Sequence, residues 1–455
     1  HPLWLALTAL GSAALMLTHN ITALMGIPLL IGYLLFLSCL YGFPTSIRPI
    51  GALAAGIGLS AFFWIPALLE QDYVQIYQLY LPRDFDYRYS FISLRQLLSL
   101  PQLVDPALVN FTLPISLGWV ALVLALVGWA PVGILLPKEV QAHRWALSLT
   151  TLGLALMTLP ISRPVWELFP LLRFVQFPWR FLAPATITLA LLAGIGAEIL
   201  MRRAPWMGVL SLLGLVLFAL TWIYPSFYHP QKDPLPPDQI HYEEETGQLG
   251  ATSAGDYLPR WVQERPSPET LLPSYEAAGP DFIIPRVDPT SLPPGARVLE
   301  ARYGLTQAHL TLESDQPFRI HFLWYFFPGW QGWLDGHPLP LEPDGPHGLI
   351  AADIPAGRHT VTVVFGETPL RRWAWRLSGL SALLLLLAVL WTGRRRRETS
   401  PLAPSFGGPL SRGVLGTCAL LAVGLTVVKT LYLDRYDNPF RRTLFDGRQV
   451  RGVDV

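Results

Sequence analysis

LLRFVQFPWRFLAP, residues Leu171 to Pro184, lies between two long apolar runs. It carries Arg173 and Arg180 beside Gln176, with Phe174, Phe177, Trp179 and Phe181 around them. Aromatic rings prefer the membrane–water interface, and long cationic side chains reach from there to headgroups or phosphates. Pro178 is unsuited to a helix interior but suits the first turn of a new helix. The stretch therefore reads as the end of an interfacial loop followed, from Pro178, by a membrane helix. At that depth the arginine pair either anchors the helix or binds an anion.

Outward from this stretch the chain stays apolar. Of its 455 residues, 51% are hydrophobic and 14% charged, with a mean hydropathy of +0.38. Soluble domains carry about 25% charged residues, so the composition predicts a membrane protein with a soluble part. A net charge of +1 gives no nucleic-acid signal. Cys39 and Cys418 both lie in apolar runs, so no disulfide framework is implied. The first residue is His, and the first apolar run follows without a basic n-region. The sequence thus reads as a piece of a longer protein lacking N-terminal helices.

A span needs about 20 apolar residues, and about nine stretches qualify or come close. They are Leu3–Leu17, Ile21–Leu40, Pro49–Leu69, Leu113–Leu136, Trp145–Leu159, Phe181–Leu200, Trp206–Tyr224, Trp373–Trp391 and Gly413–Leu433. Cytoplasmic loops carry excess Lys and Arg, which places Arg394, Arg395, Arg396 and Arg397 inside. Alternation then puts Arg48, Lys138, Arg144, Arg202 and Arg203 inside, and His19, Asn20 and the segment Pro225–Arg372 outside. The expected organisation is a helical domain over 1–224, an extracytoplasmic domain over 225–372, two C-terminal helices over 373–433, and an extracytoplasmic tail over 434–455. The chain is expected to cross its membrane several times.

Within 225–372 a Pro-rich, polar run gives way to strand patterns at about 297–366. Candidates are Arg297–Tyr303, Ala308–Glu313, Phe318–Phe326, Gln331–Leu334, Gly348–Ile354 and Thr360–Phe365. Asp335-Gly336 marks a tight hairpin, and Pro355-Ala356-Gly357 a second turn. In TVTVVF the first valines and threonines alternate between faces. The fold class expected is a polytopic α-helical membrane protein with an inserted extracytoplasmic β-sandwich.

HNITALM at His19–Met25, LRFVQFPWRFL at Leu172–Leu182, and FFPGWQGWLDGHPLPL at Phe326–Leu341 with PAGRHTVTVVF at Pro355–Phe365 together resemble bacterial multi-spanning proteins. These are the 6-pyruvoyl-tetrahydropterin synthase-related group and, more distantly, YfhO-like proteins. Nothing in the residues suggests pterin chemistry. Both groups resemble GT-C glycosyltransferases. The resemblance implies transfer of sugar from a polyprenyl-phosphate donor, on the outer membrane face, to a glycan or other envelope acceptor. The alternative is a non-catalytic protein that binds or moves lipid-linked sugars. GT-C enzymes place their catalytic carboxylate in the first outer loop, and no residue here matches that position.

Arg173 and Arg180, with Gln176, are the candidate lipid-phosphate ligands, because a guanidinium presents a planar fork of donors to phosphate. Interfacial anchoring is the competing role. Glu70 and Asp72 follow the third expected span, and a carboxylate there can take a proton or hold a divalent cation. The competing reading is an ordinary charged helix end facing water. His19 and Asn20 line a cavity or form a turn. Trp324, Trp330 and Trp333 stack on sugar rings, build the sandwich core or rest on the membrane surface. No zinc spacing or phosphate-binding glycine loop is present, and His309, His321, His337, His347 and His359 are scattered. No cofactor beyond a possible divalent cation is expected, and the expected partners are membrane lipid, the lipid-linked sugar and its acceptor.

Overall fold

The computed structural model describes residues 2–80, 85–100, 115–129, 138–223, 241, 255–265, 286–394, 420, 423, 424 and 427. The ends of the expected span Leu113–Leu136, nearly all of Gly413–Leu433, most of the Pro-rich run, Arg395–Arg397 and the tail over 434–455 lie outside the described residues.

The helices are α1 (Pro2–Thr18), α2 (Asn20–Tyr41), α3 (Phe43–Leu59), α4 (Ala61–Leu69), α5 (Leu94–Leu97) and α6 (Trp119–Val127). They continue with α7 (Lys138–Leu156), α8 (Arg163–Leu168), α9 (Leu182–Arg203), α10 (Trp206–Ile223) and α11 (Pro369–Arg394). Among the described residues, 3 helices are long and apolar enough to cross a membrane, or up to 5 if each bent pair counts as one span. Of the nine stretches read from the sequence, this supports three to five, and the expected spans Leu113–Leu136 and Gly413–Leu433 lie partly or mostly outside the described residues. Two apolar runs are broken: α3 and α4 bend by 65°, and α7 and the Pro160–Leu168 segment by 93°. α1, with 17 residues, is a short apolar helix.

The chain divides into two compact units: His1–His19, Pro49–Phe85 and Gln231–Gly393 form one, and Asn20–Arg48, Asp86–Pro230 and Arg394–Val455 the other. Sequence order separates 1–224 from 225–372, whereas the first unit draws on both.

In the first unit, Gly56 of α3 meets α1 so closely that a Cβ there would lie 2.5 Å from the Ala9 carbonyl. A Cβ at Gly58 would run into Ser381 of α11. Small residues let the backbones approach. The α3–α4 break falls at Ser60, next to Gly58, a common setting for helix kinks. A break frees backbone groups that need partners. The Ser378 hydroxyl of α11 donates to Gly58 O at 3.2 Å and accepts from Phe62 N–H at 3.0 Å.

The same unit holds the sandwich. Its strands are β1 (Arg297–Tyr303), β2 (Gln307–Ser314), β3 (Phe318–Tyr325), β4 (Trp330–Leu334), β5 (His337–Leu339), β6 (Glu342–Asp344), β7 (Leu349–Ile354) and β8 (Gly357–Phe365). One sheet runs β1-β2-β8-β4-β5 and the other β3-β7-β6. Every pairing is antiparallel. Period-2 alternation sends Ala308, Leu310 and Leu312 of β2 and Val361 and Val363 of β8 inward, against Ile320 and Phe322 of β3 and Ile350, Ala352 and Ile354 of β7. The expected Asp335-Gly336 hairpin joins β4 to β5, and both residues have positive φ, 51° and 83°. That is the backbone a two-residue hairpin turn requires.

In the second unit α6 lies against α9: a Cβ at Gly196 would collide with the Leu124 carbonyl. Thr151 of α7 donates to Thr188 of α9 at 2.7 Å. Arg144 of α7 is buried, donates to Gly128 O at 2.9 Å, and stands 4.1 Å over the Trp129 ring.

Candidate functional site

The stretch LLRFVQFPWRFLAP folds as two proline-led 3-10 turns, Pro170–Val175 and Pro178–Phe181, and the second runs directly into α9. A proline can lead each turn because its missing N–H needs no partner there. Between the turns Gln176 has φ 62° and ψ −48°, and Phe177 N–H donates to Val175 O at 2.6 Å. This is a γ-turn of the rare positive-φ kind, which a residue with a Cβ adopts only under strain.

Arg180 holds that turn. Its Nη1 donates to Val175 O at 2.8 Å and to Gln176 Oε1 at 3.0 Å. Its guanidinium lies 4.8 Å over the Phe177 ring. Both acceptors are neutral oxygens, so neither offsets the guanidinium's charge. Gln176 is buried and Arg180 half-buried, while Arg173 is exposed. Of the expected phosphate ligands, the Gln176 and Arg180 side chains come together, whereas Arg173 meets Gln176 only through its carbonyl, which accepts from Gln176 N–H at 3.1 Å.

The support beneath the loop is Trp166, which is fully buried. Tyr87 stacks on it at 5.1 Å, and Phe91 and Phe181 meet it edge-on at 5.8 and 5.7 Å. Its indole N–H donates to Met157 O at 3.2 Å. Nearby on the chain, Asp86 accepts from Arg88. That hydrogen bond holds the Asp86 carboxyl below its ordinary value. Sequence reading passes over Trp166 and Tyr87, since nothing local marks them from other aromatics.

Glu70 forms a second node, in the other unit. Its side chain is 9% exposed and that of Arg371 14%. Arg371 Nε and Nη2 both donate to Glu70 Oε2 at 2.8 Å, and Thr368 Oγ1 donates to Oε1 at 2.8 Å. The Arg371 guanidinium also lies 5.3 Å from the Phe365 ring centre and 5.5 Å from that of Phe327. Thr368 in turn accepts from Arg371 N–H at the start of α11. Glu70 therefore joins the end of α4 to the first turn of α11 and to the sandwich. Asp72, two residues on, is exposed in the 3-10 turn Gln71–Tyr73.

His19 and Asn20 are exposed at the one-residue break between α1 and α2. Trp324 and Trp330 stack at 4.7 Å and pack on the sandwich core, whereas Trp333 lies outside that cluster. Trp333 pairs across the sheet with Thr362 and Pro338 on the side opposite the buried Gly332. It is the one of the three whose face is not taken up by the core.

On the smaller sheet Arg319 bridges Glu342, Asp344 and Asp353 at 2.5, 2.9 and 3.0 Å. His321 Nε2 lies 2.8 Å from Asp344, and that hydrogen bond, followed by the one from Arg319, keeps the Asp344 carboxyl below its ordinary value. Among the described residues no group of three or more His, Cys, Asp or Glu side chains is placed to hold a metal ion.

No family model matches the chain, and no curated protein matches it.

Proposed function

We propose that the chain is an integral membrane protein, located in the bacterial cytoplasmic membrane with its sandwich on the outer side, that engages a polyprenyl-phosphate-linked sugar. The observation that carries this reading is the loop between α7 and α9. Ile161 and Leu168, 76% and 71% exposed, lie on a segment turned 93° from α7, and Phe169 and Leu171 just after it are also exposed. An apolar, exposed segment lying across a spanning helix suits the interface of a bilayer. Arg173 is exposed on that same loop, and among the described residues Arg180 bonds to neutral oxygens alone, which supports a loop offering cationic charge at headgroup depth.

Binding or moving the lipid-linked sugar is the first reading, because the Glu70 carboxylate is already engaged by Arg371 and Thr368. A GT-C-like transfer to a glycan or other envelope acceptor is the second. The exposed Asp72 favours it, since that carboxylate is open to an acceptor hydroxyl or a divalent cation. The test is binding of a polyprenyl phosphate to the purified chain in detergent. Arg173→Ala should weaken binding about tenfold, the loss of one charge-assisted contact. Arg180→Ala should weaken it further, with lower stability. Unchanged affinity in Arg173→Ala would reduce that arginine to an anchor.

A further inference from the structure

α6, α9 and α10 enclose an open groove of about 360 Å³, lined by Trp119, Val123, Leu200, Met207, Leu210 and Phe218 among others. Ser211 is its polar lining residue, and that hydroxyl already donates to Met207 O at 2.8 Å. The groove therefore presents no free hydrogen-bonding group from Ser211, and water in it would be poorly held.

One end of the groove is cationic. Leu200 and Met207 flank the turn between α9 and α10, which carries Arg202, Arg203 and the exposed Trp206. Arg202 pairs with Glu198 at 2.9 Å. Arg203 is exposed and has no ion-pair partner among the described residues, so the turn keeps one positive charge. From Met207 to Phe218 α10 rises about 16 Å at 1.5 Å per residue. The hydrocarbon core of a bilayer is about 30 Å thick, so the groove matches the depth of one leaflet. Arginine and tryptophan at one end and hydrocarbon-lined walls beyond are the two halves of a phospholipid site.

We infer that this groove holds one acyl chain of an anionic phospholipid whose headgroup rests at Arg203 and Trp206. The inference rests on the membrane reading above but concerns a different place from the α7–α9 loop. The lipid is a resident partner of the fold that fills a cleft which helix packing leaves open.

The full chain, reconstituted with dioleoylphosphatidylglycerol or dioleoylphosphatidylcholine and re-extracted in mild detergent, is weighed by native mass spectrometry. One phosphatidylglycerol should be retained, with a preference of about fivefold over phosphatidylcholine, the effect of one basic residue near a membrane surface. Leu210→Trp, which fills the groove, should lose the retained lipid. Val123→Trp serves the same purpose if the first variant fails to fold. Arg203→Gln should keep a retained lipid and lose the preference. Retention of phosphatidylglycerol by a folded groove-filling variant, equal retention of both lipids, or a mass corresponding to a second copy of the chain would overturn the inference. An alkaline wash of the membranes separates the two levels: release of the chain sinks the membrane reading, whereas a chain that stays in the membrane yet retains no phosphatidylglycerol sinks only this inference.

Discussion

Arg371 and Arg180 are both partly or wholly withdrawn from solvent, yet their surroundings differ in one respect. Arg371 faces a carboxylate, Glu70. Arg180 faces a peptide carbonyl and a carboxamide. The first pairing cancels charge and ties α4, α11 and the sandwich together. The second satisfies the guanidinium's hydrogen bonds and leaves its charge intact. Among the described residues Arg180 has no ion-pair partner; a cation placed so costs stability, and the Gln176 turn beside it adds backbone strain. Local costs of this kind gather at functional sites, and this is the place proposed above for the lipid phosphate.

The largest expected effect tests the first side of that comparison. Glu70→Gln leaves the Arg371 charge buried with only a neutral acceptor. It should cost about 3–5 kcal/mol, the usual result of removing one partner of a buried pair. Unfolding of the detergent-solubilised chain measures it. Glu70→Leu combined with Arg371→Met should recover most of the loss, because apolar residues of similar volume often replace such a pair without penalty. If the single variant is as stable as the parent, Arg371 already tolerates neutral partners and the contrast with Arg180 disappears.

A smaller effect tests the second side. Gln176→Ala and Gln176→Gly both remove the amide that accepts from Arg180. Only glycine relaxes the positive φ. The glycine variant should therefore be the more stable of the two by about 1 kcal/mol. Equal stability of the two would mean that the γ-turn stores no strain.

Legibility in the sequence followed the range of the interactions. The strands from Arg297 to Phe365 could be read because alternation and the Asp335-Gly336 turn are local. β5 and β6 could not, since each has 3 residues with a proline in the middle. Apolar runs show composition but not breaks, so the bends at Ser60 and before Pro160 were invisible. The Gln176–Arg180 contact spans four residues and was legible as a cluster. Glu70 and Arg371 lie 301 residues apart, and no spacing announces their meeting. Trp166 was missed for the same reason: its partners Tyr87 and Phe181 come from separate parts of the chain.

The smallest effect sharpens the comparison by moving a paired cation to the surface. His359 Nδ1 lies 2.6 Å from Asp335 Oδ2, in the hairpin of the larger sheet, and the Asp335 side chain is 46% exposed. The hydrogen bond to Asp335 raises the His359 pKa above its ordinary 6.5, and the same bond lowers that of Asp335 below 3.8. A raised histidine pKa means that the folded state holds the proton more tightly. Its contribution is complete below pH 6.5 and is lost as pH climbs through the raised value. The Asp335 contribution is complete above 3.8 and is lost as pH falls through its lowered value. Stability should therefore plateau between those limits and decline on the alkaline side, and His359→Gln should flatten that decline. Solvent screens this pair, so its effect should be the weakest of the three. An alkaline decline of the same size in His359→Gln would assign it to another group and leave burial of the counter-charge as the feature that separates Arg371 from the surface pairs.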